Sequence, residues 1–121
     1  MTGRRILIIE DEAIVAESLG LALRTMGEEV AGTAATVEQA LALIDSTADV
    51  DGALVDINLR GVRAYSVADR LMARGLPFIF TTGYSAPIIP ESYRHVAVLQ
   101  KPFDPEAVLT VLFPRAADAS D

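Results

Sequence analysis

At 121 residues, 51% of them hydrophobic, the chain can build one domain around its own core without cross-links. It has no cysteine, which excludes a disulfide framework and a thiolate metal centre. A net charge of −7 argues against non-specific binding to nucleic acid, and no apolar run approaches a membrane span, so a cytoplasmic location is expected.

Short apolar runs alternate with helical patterns along the chain. Residues 4–9 read as a strand, β-branched and continuous, that runs straight into Glu10-Asp11-Glu12. Over 12–26, Val15, Leu19, Ala22, Leu23 and Met26 recur at helical spacing, and Gly27 can end that helix. A weaker strand follows at 28–34. Thr36 and Gln39 form a capping-box pattern ahead of a stripe of Val37, Ala40, Leu41 and Ile44. Residues 51–56 are a buried strand ending on Asp56. Val67, Ala68, Leu71 and Met72 mark a helix over 65–73, and 77–82 a strand centred on Phe78-Ile79-Phe80. Pro87 and Pro90 limit 86–93 to a short or distorted fourth helix, expected to be the mobile part of the domain. Residues 96–100 are the last strand. Asp104 then caps a helix that begins with Pro105, and Phe103 can staple onto Val108. The tail, 115–121, is expected to fray.

Five strands, apolar on both faces and separated by helices, predict an α/β fold with a parallel sheet covered on two sides. Ligand sites in such sheets lie beyond the carboxyl ends of the strands. Those ends carry Glu10-Asp11, Asp56, Thr82-Gly83 and Lys101-Pro102. Three carboxylates on one rim repel one another, and one lysine offsets only part of that charge. All-oxygen donors without Cys or His suit Mg²⁺. A carboxylate beside Mg²⁺, a lysine and a hydroxyl has the parts for phosphoryl transfer. Asp56 is then the nucleophile, Lys101 a second positive contact and Thr82 a hydrogen-bond donor to a phosphoryl oxygen. His95, the only histidine, lies outside the rim and reads as surface. Arg60 and Arg63 read as solvated residues that can steer an anionic donor.

These features, in this order, resemble the receiver domain of two-component response regulators over about residues 4–114. The resemblance implies a flavodoxin-like (βα)5 fold with strand order 2-1-3-4-5. It implies Mg²⁺-dependent phosphorylation of Asp56 by a sensor histidine kinase or histidine phosphotransfer protein. Asp11 and Asp56 would ligate the metal directly, Asn58 through its backbone carbonyl and Glu10 through water. The Lys101-Pro102 peptide would be cis. The chain would be a phosphoacceptor signalling module and not an enzyme, a monomer or weak homodimer. It would act on an unnamed protein partner with no direct contact to nucleic acid.

Two positions depart from the family. Val98 occupies the place of the aromatic switch residue, and Arg60 the place of a common proline. Phe80-Thr81-Thr82-Gly83-Tyr84 resembles an alphaproteobacterial-type subgroup with a Phe-x-Thr-Gly motif and no aromatic switch, many of whose members are stand-alone receivers. Thr82 and the segment 83–93 are therefore expected to carry the signal, with Tyr84 taking over part of the missing aromatic's role. The competing reading is a pseudo-receiver, a phosphate-independent binding module on the same fold. A small phosphatase is disfavoured because Asn58, not a second aspartate, stands two residues after Asp56.

Overall fold

The computed structural model describes residues 3–83 and 89–114. Ile6-Leu7-Ile8-Ile9 have no exposed polar face, so their strand must lie inside a sheet covered on both sides. It does: β1 (Arg5–Ile9) pairs in parallel with β2 (Glu29–Ala34) on one side and β3 (Gly52–Asp56) on the other. Two further parallel strands, β6 (Phe78–Thr82) and β7 (Val98–Gln100), complete the order β2-β1-β3-β6-β7. This is the flavodoxin-like order expected, with β6 and β7 as its fourth and fifth strands.

Alternation along each strand splits the core in two. Leu7, Ile9, Val55 and Phe80 point to the side covered by α2 (Val37–Ser46) and α3 (Tyr65–Ala73). Ile6, Ile8, Leu54 and Ile79 point to the side covered by α1 (Ala13–Thr25) and α4 (Pro105–Leu112). At Gly32 an added Cβ would lie 2.8 Å from Leu43, so the glycine lets α2 pack closely on β2.

The caps follow the sequence. The Thr36 hydroxyl accepts from the Gln39 amide at 3.1 Å, and the Asp104 carboxylate from the Glu106 amide at 3.0 Å. The Gln39 side chain accepts from the Ala35 amide at 3.0 Å, one residue before the donor of a standard capping box. Phe103 packs against the cluster that holds Val108.

Three details differ from the sequence reading. Met72 is 37% exposed and lies off the buried stripe of α3, which runs through Val67, Ala68 and Leu71. The last strand starts at Val98, because a 3-10 turn at Glu91–Tyr93 draws the Val96 amide onto the Tyr93 carbonyl at 3.0 Å. Between β3 and α3 the chain forms an unanticipated hairpin, β4 (Asn58–Leu59) and β5 (Val62–Arg63). In the connection from β6 to β7, that 3-10 turn is the one helical element among the described residues. Of the segment 86–93 expected to be mobile, 86–88 lie outside the described residues, as do Tyr84 and the tail 115–121.

At the amino ends of the strands, Glu28 is 5% exposed and accepts from the Arg4 amide at 2.9 Å and the Arg4 guanidinium at 2.6 Å. Burial opposes ionisation of Glu28, but these bonds outweigh it and hold the carboxyl below its usual 4.5. Glu28→Gln is expected to cost about 2 kcal/mol in urea unfolding at neutral pH, because a charge-assisted pair is lost. Since the folded-state pKa is depressed, this contribution is complete above pH 4.5 and disappears as pH falls through the folded value. The stability gap between the two proteins should narrow over that acid range.

Candidate functional site

In the strand order, β2 lies on one side of β1 and β3, β6 and β7 follow on the other. The chain therefore reverses direction across the sheet between β1 and β3, and their carboxyl ends flank the switch point where doubly wound folds hold ligands. β1 delivers Glu10 and Asp11 there, and β3 delivers Asp56 as its last residue. Carboxylate oxygens of Glu10, Asp11 and Asp56 all lie within 4.8 Å of one another. Glu10 and Asp56 are only 4% and 6% exposed, while Asp11 is half-buried.

Lys101 reaches the same place from the end of β7. Its amide donates to the Thr82 carbonyl at 2.8 Å, which ties it to the end of β6. Its Nζ donates to Asp56 Oδ2 at 2.9 Å and to Glu10 Oε1, with Glu12 3.9 Å away. The Lys101-Pro102 peptide is cis. Backbone amides take up further oxygens: Glu12 N–H donates to Glu10 Oε2 at 3.0 Å, and Asn58 N–H to Asp56 Oδ1 at 3.0 Å.

Burial raises the Glu10 carboxyl to about 7; Lys101 and the Glu12 amide pull the other way, and neighbouring Asp56 adds to the rise. Burial alone would lower the Lys101 ammonium, but hydrogen bonds to Glu10 and Asp56 outweigh it and raise it. Burial would raise Asp11 too; the Arg60 amide and other hydrogen bonds hold it below the usual range. The cluster thus holds more acid than its one lysine can neutralise.

The donor set fits a hard dication. It is all oxygen, on three side chains from two adjacent strands. One oxygen of each lies within 4.8 Å of the others, close enough for a single ion to draw on them directly or through water.

The other sequence-predicted residues fall around this centre. Thr82 is buried at the end of β6, one residue beyond Thr81, the register partner of Asp56. Val98 is half-buried on β7, in register with Phe80. Asn58 is exposed, with its amide on Asp56. His95 is exposed and away from the rim. Tyr84 lies outside the described residues.

Two features escaped the sequence. One is an aromatic stack: Tyr65 and Tyr93 are parallel at 4.8 Å, both edge-on to Phe80, and the Tyr93 hydroxyl donates to Asp69 at 2.6 Å. The other is the hairpin tip, where the Arg60 amide donates to Asp11 Oδ2 at 2.9 Å. Its signal was Gly61 after Arg60, a turn pair between apolar Leu59 and Val62. Arg60 has φ +52°, which proline cannot adopt, and its N–H is in use. The departure from the family's common proline is thus built into the loop.

Fold and rim together define a small doubly wound signalling domain. The family model described as the response regulator receiver domain matches residues 6–113. This chain belongs to that family, whose members are signalling modules of two-component systems and not enzymes. It is 39% identical to SdrG from Sphingomonas melonis Fr1, with a TM-score of 0.79 over 91% of this chain and 93% of that one. The receiver domain of the response regulator PhyR from Erythrobacter litoralis is 28% identical, with a TM-score of 0.79, 97% of this chain covered and 92% of that one. PhyR from Brucella abortus is also 28% identical, with a TM-score of 0.75; the match takes in 98% of this chain but 51% of that one. No curated protein matches the chain. Among the described residues no helix is long and apolar enough to cross a membrane.

Proposed function

We propose that the chain is a working phosphoacceptor with a receiver core over about 4–114. It takes a phosphoryl group on Asp56 from a sensor histidine kinase or histidine phosphotransfer protein in the cytoplasm. The observation that carries this reading is the convergence of Glu10, Asp11, Asp56 and Lys101 at the switch point. An Asp56 oxygen attacks phosphorus, and the bond from phosphorus to the donor imidazole breaks. Asp11, Asp56 and the Asn58 carbonyl would hold Mg²⁺, with Glu10 acting through water; the ion supplies neutralisation of phosphoryl charge. Lys101 Nζ, already against Asp56, adds a second positive contact, and the Thr82 hydroxyl binds a phosphoryl oxygen.

A docking face for the donor adjoins the rim. Ile14, at the start of α1, is 81% exposed and borders an open groove of about 630 Å³ with Lys101, Pro102 and Phe103. The signal is read as passing from Thr82 into the segment that follows, since Val98 is aliphatic. The stacked Tyr93 at its far end sits on Tyr65 of α3, so movement there reaches a helix surface. The output is phosphorylation-dependent contact with a protein partner.

The test is addition of acetyl phosphate or beryllofluoride with and without Mg²⁺, followed by amide shift mapping. SdrG has been described in a BeF₃-activated conformation, so the probe suits this fold. Shifts at Asp56, Thr82 and 89–96 that require Mg²⁺ are expected. Absence of any response in either condition would favour the pseudo-receiver, which the full acid-and-lysine set otherwise disfavours.

A further inference from the structure

The β4–β5 hairpin adjoins the acids, and among the described residues the ion pairs to Glu10 and Asp56 come from Lys101 and not from its arginines. It is closed by Arg60-Gly61, with φ +52° and +84°, both left-handed as a type I′ turn requires. Its feet are fixed: Leu59 is 1% exposed, and the Ala64 amide donates to the Ile57 carbonyl at 2.8 Å. Two amides of this one element each hold a different acid. Asn58 N–H meets Asp56 Oδ1 at 3.0 Å, and Arg60 N–H meets Asp11 Oδ2 at 2.9 Å. Among the described residues the Arg60 amide is the one hydrogen-bond donor that reaches Asp11 from another element. The Arg60 side chain is exposed.

We infer that Arg60 is a positioning residue for the metal site, acting through its backbone amide, which the left-handed turn aims at Asp11. The inference rests on the reading that Asp11 is a Mg²⁺ ligand. A carboxylate that accepts an N–H on one oxygen is restrained about its last torsion, so the orientation it offers a metal is held as well. Hydrogen-bond partners of this kind change metal affinity by about 10–100-fold. What position 60 must supply is an N–H and a positive φ, not a guanidinium. Glycine meets both conditions and proline neither.

The experiment is a Mg²⁺ titration of the full chain followed by amide shifts, since the protein has no tryptophan to report binding. Arg60→Pro is expected to raise the Mg²⁺ Kd about tenfold or more, and Arg60→Gly to restore the parent affinity. At saturating Mg²⁺, Arg60→Pro should accept phosphate from acetyl phosphate at nearly the rate of Arg60→Gly, a split that a general loss of structure would not give. Equal Kd values for the proline and glycine variants would overturn the role. If the unaltered chain binds no Mg²⁺, the metal reading itself fails and takes this role with it. Should Arg60→Pro not fold, hydrogen exchange decides. The Arg60 amide must be protected in the unaltered chain and lose that protection in Asp11→Ala while the Asn58 amide keeps it; an unprotected Arg60 amide overturns the inference.

Discussion

Asp56→Asn is expected to abolish labelling by acetyl phosphate, with a fall of at least about a thousandfold, because the variant lacks the attacking carboxylate. The fold should survive. An asparagine oxygen can still accept the Asn58 amide, which now donates to Asp56 Oδ1 at 3.0 Å. The charge pair with Lys101 is lost, but so is one member of a crowded acid cluster, and the two changes oppose each other. Unfolding free energies of the two proteins from urea titration should therefore agree within about 1 kcal/mol. A radiolabelled or mass-shifted adduct retained in Asp56→Asn would place the phosphoryl group elsewhere and remove the ground for the proposed chemistry.

The largest effect on stability is expected at Phe80. Its side chain is fully buried in the centre of β6. It meets Phe78 edge-on at 5.6 Å, Tyr65 at 6.1 Å and Tyr93 at 6.4 Å. Truncation to alanine leaves a cavity walled by three rings, and buried Phe→Ala changes cost about 3–5 kcal/mol. Against a total of about 5–15 kcal/mol for a domain of this kind, that is a large share. Urea unfolding should show a lower midpoint at an unchanged slope. Val62→Ala, on the 54%-exposed face of the hairpin, is the contrast and should move stability by less than about 0.5 kcal/mol. A similar loss in both variants would mean that the ring cluster is not a cooperative part of the core.

The sheet was readable because its signals are local and long enough to count. Ile6–Ile9 and Ala53–Val55 are apolar on both faces, and a strand buried on both faces cannot be written otherwise. The caps at Thr36 and Asp104 are single residues whose chemistry acts within three positions. The acids and Lys101 were legible as a group because parallel strands bring their carboxyl ends to one rim whatever the loops do. The hairpin was not, since each strand has only two residues and no period can be read from two. The Tyr93–Asp69 bond spans 24 positions and depends on how the 3-10 turn sits against α3. Met72 falls at helical spacing, but the width of the buried stripe on α3 is set by what packs against it, not by the helix alone.

The five strands of the main sheet run in one direction, so the molecule has two unlike poles. One gathers crowded acids, held there at a cost in repulsion. The other is clasped by Arg4 with Glu28, by the Arg5 amide on Asp51 at 2.8 Å and by the Gly3 amide on the Gly27 carbonyl at 2.7 Å. These clasps and the chemistry are thereby lodged at opposite ends of the same strands, and mutational drift at one need not be felt at the other. A lineage can retune how firmly such a protein stands without touching what it does.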